Sequence, residues 1–286
     1  MTDAAVGLPR RLASLVKLEH TVFALPFAYV GALLASDGLP SAHDALWILV
    51  AMIGARTLAM GLNRLIDAGV DARNPRTAAR ELPAGTLGVA QVALLCAASL
   101  VLFLVAVSQL DPLVRLLWPV PLLLFVVYPY LKRVTWLCHE WLGVSLGLAP
   151  VGAWAAVTGE LPWEAFALGG AVALWVAGFD LFYALFDLEH DRAEGLHSWA
   201  VRFGERGTFV GARAHHLGTV ALLVLTGAGL GVGALYWLGV AAVAALLVYE
   251  HALVRPGELS RLDAAFFTTN GVISIVFLAF VLADST

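Results

Sequence analysis

Asn63, Asp67 and Asp71 stand four residues apart, and Asp187 and Asp191 repeat that interval far downstream. On an α-helix, four residues turn the chain by about 40° and climb about 6 Å, so each set shares one face. Tyr183 extends the second ladder by one step, and Asp180, about two turns from Asp187, lies on nearly the same face. Carboxylates stacked this way repel one another, and a divalent cation relieves the repulsion. Aspartate oxygens with no His or Cys cluster nearby suit a hard ion, and Mg²⁺ takes one or two carboxylates together with substrate phosphates. Arginines crowd the same stretch at Arg64, Arg73, Arg76 and Arg80, and a guanidinium forks a phosphate well. Carboxylates, Mg²⁺ and arginines together describe a diphosphate site. The competing reading is ordinary ion pairing at helix ends; two ladders, each with basic companions, favour the first.

The elements that must carry these residues are apolar. The 286-residue chain is 60% hydrophobic and only 13% charged, whereas soluble domains carry about 25% charged residues. A bilayer span needs about 20 mainly apolar residues. Nine candidate runs are present, at roughly 20–36, 44–67, 87–108, 113–131, 137–158, 163–189, 208–230, 232–252 and 264–283. Breakers separate them: Asp37-Gly38, Asn74-Pro75, Asp111-Pro112, Gly159 with Pro162, and Pro256-Gly257. The expected fold is an all-α polytopic membrane protein of about nine transmembrane helices, one domain over 1–286. The first run is long enough to read as a span rather than a cleaved signal. Basic residues precede span 1 and fill connections 2–3, 4–5, 6–7 and 8–9. The positive-inside rule places these, and the N-terminus, in the cytoplasm. Both ladders then fall at cytoplasmic ends of spans 2 and 6, where an aspartate costs less than the about 2.5–3.5 kcal/mol of mid-bilayer. Cys96 and Cys138 lack metal spacing and read as packed thiols, and nothing predicts a nucleic-acid partner.

N-R-L-I-D-A-G-V-D-A-R-N-P-R-T-A-A-R-E-L-P, starting at Asn63, resembles the first aspartate-rich motif of the UbiA-type membrane prenyltransferases. D-L-F-Y-A-L-F-D-L-E-H-D, starting at Asp180, resembles their second. V-Y-P-Y-L-K-R-V-T between them is similar to a segment of the 4-hydroxybenzoate polyprenyltransferase branch. K-L-E-H-T-V-F-A-L-P-F-A and H-S-W-A-V-R-F-G also resemble family segments, so the likeness spans the chain in order. The set is most similar to bacterial quinone-biosynthesis members, including those of the futalosine route to menaquinone.

The resemblance implies a helical bundle around a cytoplasm-facing central cavity in a bacterial-type inner membrane. It implies Mg²⁺-dependent transfer of an isoprenyl group from its diphosphate to a small aromatic acid, of 4-hydroxybenzoate or dihydroxynaphthoate type. Asp67 and Asp71 would hold one Mg²⁺ and Asp187 and Asp191 a second. Asn63 would hold the first metal or a phosphate oxygen, and Lys17, Tyr128, Lys132 and Arg133 would lie near the diphosphate. Arg64 stands where many members have an aspartate, adding a phosphate donor and leaving one or two metal ions open; Glu81 replaces a usual proline. His20 contacts the diphosphate or acceptor carboxylate, or serves only at a helix end. Asp180 orients the acceptor, or makes a structural bond to Tyr183 or another helix. The prenyl tail would lie in a lipid-side groove walled by Phe125, Phe179, Phe182 and Phe186. Other aromatic or haem O prenyltransferases of the same superfamily, CDP-alcohol phosphotransferases and a cation-coupled transporter are the alternatives. Acids confined to one membrane face disfavour a transport path.

Overall fold

The computed structural model describes residues 7, 11–12, 15, 21–36, 38–254 and 268–286, and no strand occurs among them. The main helices are α1 (Thr21–Ala35), α2 (Ala42–Asp71), α3 (Val89–Ser108), α4 (Pro112–Leu117), α5 (Pro119–Leu131), α6 (Cys138–Thr158), α7 (Trp163–Ala184), α8 (Leu188–Ala193), α9 (Trp199–Leu230), α10 (Ala234–Leu253) and α11 (Asn270–Asp284). Seven stretches are long and apolar enough to cross a membrane: α2, α3, α4 with α5, α6, α7 through α8, α9 and α10. This is an integral membrane protein. The first and last expected runs form shorter helices, α1 and α11.

The helices start and stop where local chemistry demands. Ser41 caps α2 by accepting the Asp44 N–H at 3.0 Å. Asp111 caps α4 by accepting the Leu113 N–H at 2.8 Å, with Pro112 filling the first turn, where no donor is needed. Gly159, at φ 68°, ends α6 in the left-handed region that glycine enters without strain. The run expected at 113–131 breaks at Trp118 between α4 and α5. The span expected at 208–230 begins at Trp199, and Gly204 kinks it with φ 69° and ψ 179°.

The bundle is built on close backbone approach. α7 lies between α6 and α9, while α1 packs on α6, α2 and α11. Gly143 and Gly147 face α7 so closely that an added Cβ would sit 2.2 Å from the Ala173 carbonyl oxygen and 2.4 Å from that of Gly169. The small-xxx-small pair therefore serves packing inside the bundle. Trp175 of α7 donates to Asn270 of α11 at 2.7 Å, and Asn270 donates to Glu250 of α10 at 2.9 Å. This buried network fixes the last helix where apolar packing alone is non-directional.

Gly143→Ala is expected to destabilise the protein in detergent by about 1–3 kcal/mol, because the obstructing atom is backbone. Gly69→Ala, where an added Cβ meets nothing within 4 Å, is expected to leave the thermal unfolding temperature unchanged or slightly raised. Equal unfolding temperatures for both variants would contradict the packing argument.

Candidate active site

One face of α2, including Ile48, Met52, Arg56, Asn63, Asp67 and Asp71, lines a cavity of about 700 Å³. From Ile48 to Asp71 the helix rises about 35 Å, so the cavity follows it across a bilayer's thickness. Its far end is apolar, with Leu110, Val114, Leu161 and Phe166. Its mouth holds all four ladder aspartates, with Asn74, Arg76, Arg80, Lys132 and Arg133.

Every mouth carboxylate has a basic partner. Arg80 Nη1 lies 2.7 Å from both oxygens of Asp71. Arg133 donates to Asp67 at 3.0 Å, and Asn63 donates to the other Asp67 oxygen at 2.8 Å. Arg76 forks Asp187 through Nε and Nη2, with Asn74 donating to the same carboxylate at 3.1 Å. Lys132 donates to Asp191 at 3.0 Å and stands 3.8 Å from Asp187. Adjacent residues Lys132 and Arg133 thus bridge the two ladders. Burial by itself would lower the pKa of both Arg76 and Lys132. Hydrogen bonding to Asp187 and its charge outweigh this for Arg76, as Asp191 and Asp187 do for Lys132, and both cations end above their ordinary values. They stay charged throughout the neutral range.

The loop after α2 is folded to deliver these groups. Thr77, almost fully buried, donates to the Asp71 carbonyl at 3.0 Å. Asn74 Oδ1 accepts the Arg76 N–H at 2.9 Å, and Arg73 anchors the loop to Glu194 at 2.7 Å. Across the mouth, the His197 N–H donates to the Lys132 carbonyl at 2.6 Å.

Of the residues singled out in the sequence, Asn63, Arg64, Asp67, Asp71, Tyr128, Lys132, Arg133, Asp180, Tyr183, Asp187 and Asp191 all line this cavity. Lys17 and His20 lie outside the described residues. The second ladder does not ride on one continuous α-helix. α7 ends at Ala184, a 3₁₀ turn spans Leu185–Asp187, and α8 carries Asp191. Tyr183 faces the mouth as expected and lies under the Arg76 guanidinium, 5.2 Å from it. Asp180 bonds to another helix, through His139 of α6 at 2.7 Å. Phe125 and Phe179 line the cavity, whereas Phe182 packs against Phe209 and Phe186 is exposed. His190, whose position beside the ladder suggests that it turns away, also lines the cavity.

Sequence reasoning left out Asn74, Arg56 and His139 as site residues. Arg76 and Arg80, which the sequence offers as phosphate-forking arginines beside the first ladder, reach Asp187 and Asp71. Nothing in sequence pairs His139 with Asp180.

The acids form opposed pairs; among the described residues no three His, Cys, Asp or Glu side chains form a ready metal cluster. Paired carboxylate oxygens, with amide groups of Asn63 and Asn74 beside them, still match a hard cation that completes its shell with phosphate and water.

Residues 24–279 match the model of the UbiA prenyltransferase family. The chain is 31% identical over 271 residues to a 4-hydroxybenzoate octaprenyltransferase of Aliivibrio fischeri, covering 94% of this chain and 92% of that one. It is 32% identical to one of Nitrosospira multiformis, covering 88% and 87%. Its fold superposes on a UbiA homolog from Aeropyrum pernix K1, in its apo structure, with TM-score 0.85 and 32% identity, covering 94% of this chain and 98% of that one. A UbiA homolog from Archaeoglobus fulgidus, bound to GPP and Mg²⁺, shares the fold at TM-score 0.73 and 19% identity, covering 96% and 98%. With the family pattern running through nearly its whole length and the same helical scaffold beneath it, this chain belongs to the UbiA prenyltransferase family and is a prenyltransferase.

Proposed function

We propose that the protein transfers a polyprenyl group from an isoprenyl diphosphate to a hydroxylated aromatic acid, 4-hydroxybenzoate or a dihydroxynaphthoate, in quinone biosynthesis. One observation carries this reading: two acid pairs distant in sequence meet, with their basic partners, at the mouth of one otherwise apolar cavity. The relatives named for 4-hydroxybenzoate, and the homolog bound to GPP and Mg²⁺, support the same chemistry.

In this reading the mouth takes the diphosphate. Asp67 with Asp71, and Asp187 with Asp191, would hold Mg²⁺, with Asn63 beside the first pair. Bound there, Mg²⁺ supplies Lewis-acid stabilisation of the leaving diphosphate. Arg76, Arg80, Lys132 and Arg133 exchange carboxylate for phosphate oxygens, and Arg64 adds a further charge at the same wall. Tyr128 lines the same cavity from α5. Prearranged cations stabilise charge as it develops on the leaving oxygen. Below them, apolar and aromatic walls such as Phe125 and Phe179 offer the allylic cation no nucleophile, and their π faces attract it. Arg56, on the cavity wall two turns below Asn63, suits an acceptor carboxylate. Lys17 and His20 remain candidates for the same mouth.

We further infer nine crossings, counting α1 and α11, in one unit over 1–286. The acid mouth and the N-terminus face the cytoplasm of a bacterial-type inner membrane. The basic connections support this orientation.

Purified protein given geranyl diphosphate, Mg²⁺ and 4-hydroxybenzoate, 1,4-dihydroxy-2-naphthoate or 1,4-dihydroxy-6-naphthoate should release diphosphate and form a prenylated acid. EDTA, or Asp67→Ala combined with Asp187→Ala, should abolish both products; activity surviving either treatment would falsify the reading. Arg76→Ala is expected to raise the KM for the diphosphate about tenfold to a hundredfold, the value of a charge-assisted hydrogen bond. The acceptor KM should stay near that of the wild type. Arg56→Gln should show the reverse pattern, with the acceptor KM rising and the diphosphate KM unchanged.

A further inference from the structure

Below the mouth, the cavity wall carries a carboxylate that the diphosphate half of the reaction leaves unused. Asp180 lies seven residues before Asp187, about 10 Å deeper along α7, and lines the cavity. Among the described residues it differs from the four mouth acids in having no Arg or Lys partner. Among the described residues its one hydrogen-bond partner is His139 Nδ1, 2.7 Å from Oδ2. Both side chains line the cavity, and the carboxylate is the more exposed of the two: the His139 side chain is 3% exposed and that of Asp180 18%. His139 Nε2 is buried without a hydrogen-bond partner among the described residues. The ring's bond to Asp180 is the one that joins α6 to α7 here. An aspartate in an apolar wall is costly to keep, and this one is held in one orientation by a buried donor from another helix.

The proposed reaction needs such a group. As the C–O bond to diphosphate breaks, its electron pair stays with the leaving oxygen. A ring π pair of the acceptor forms the new C–C bond to the allylic carbon. The attacked ring carbon still carries hydrogen, and aromaticity returns only when that C–H bond gives its pair back to the ring and its proton leaves. We propose that Asp180 accepts this proton, becoming a neutral carboxylic acid, and that His139 is the positioning residue that aims it. Nδ1–H, donated to Oδ2, leaves Oδ1 as the proton-accepting oxygen. Loss of the proton to cavity water then restores the carboxylate. This assignment rests on the reading that an aromatic acceptor occupies the cavity.

The test is single-turnover prenylation with geranyl diphosphate, Mg²⁺ and 4-hydroxybenzoate, either protonated or deuterated at the ring carbons that accept the prenyl group. Asp180→Asn should slow turnover about a hundredfold or more, the lower range for general-base catalysis, with unchanged retention of geranyl diphosphate. It should also raise the ring-deuterium isotope effect, because C–H cleavage becomes limiting. His139→Leu should move both readouts in the same direction to a smaller extent. His139→Asn, whose amide can donate in place of Nδ1, should recover much of the rate. A positioning role predicts that recovery, and a generally damaged fold does not. Wild-type product formation alongside an Asp180→Asn variant of near wild-type rate and unchanged isotope effect would overturn this inference alone. So would loss of rate with parallel loss of geranyl diphosphate retention and no isotope effect. A wild type that prenylates neither 4-hydroxybenzoate nor either dihydroxynaphthoate would overturn this inference together with the reading beneath it.

Discussion

Asp67, Asp71, Asp187 and Asp191 can stand at the ends of apolar helices because Arg133, Arg80, Arg76 and Lys132 reach them. Asp191 is only 1% exposed, and a buried charge left without its partner is strongly destabilising. The partners come from elsewhere in the chain: Arg76 and Arg80 from the loop after α2, Lys132 and Arg133 from the end of α5. Neutralisation therefore organises the mouth. It makes the loop after α2 fold back, ties that loop to α7 and α8, and brings α5 between the two ladders. The same groups have a second capacity, since a cation that satisfies a carboxylate also satisfies a phosphate oxygen. The site keeps its charges balanced by pairing its acids with its own cations.

The cavity beneath depends on the opposite device, packing without charge. Where α6 meets α7, glycines remove the side chains that would hold the backbones apart. Close contact there, together with the polar Trp175–Asn270–Glu250 link on the far side of α7, makes that helix a rigid wall. The face of α2 turned inward carries small or flexible residues through most of its length, including Ala51, Met52, Ala55 and Ala59. Space is left in the bundle because these residues do not fill it. Interiors otherwise pack to near-crystal density, so a cavity of about 700 Å³ requires helices stiff enough not to close over it. Within the ordinary size range of small-molecule pockets, it offers an apolar lumen with a charged lid at one end.

Helix existence, approximate limits and the two acid pairs were legible in the chain because they rest on local rules: hydrophobic run length, breakers and a spacing of four. Illegible features depend on rotation and distance between elements. The loop after α2 reads as a breaker at Asn74-Pro75 followed by arginines suited to phosphate, but that Asn74 joins them, and which acid each arginine meets, follows only from how the loop folds back. Phe182 and Phe186 share a helix region with Phe179, but only Phe179 lines the cavity; hydrophobicity does not say which side of a fully apolar helix is empty. His139 and Asp180 sit in different helices, and their bond follows from how α6 crosses α7 rather than from anything near either residue in sequence.

The two ladders make the same point more sharply. Asp67 and Asp71 ride an unbroken α-helix and take separate cations, Arg133 and Arg80. Asp187 and Asp191 have the same interval, yet Lys132 lies within 4.0 Å of both. The second ladder also differs in its backbone, with a 3₁₀ turn at Leu185–Asp187. Each 3₁₀ residue turns the chain by about 120° rather than 100°, so three residues add roughly 60° of rotation relative to α7. That rotation comes before α8 begins and reorients Asp187 and Asp191 together relative to Tyr183 and Asp180 on α7. Asp187 keeps its own fork from Arg76, and Lys132 adds a contact shared with Asp191. Equal spacing along the chain predicts a shared face only while the helix is regular, and the second ladder crosses a point where it is not.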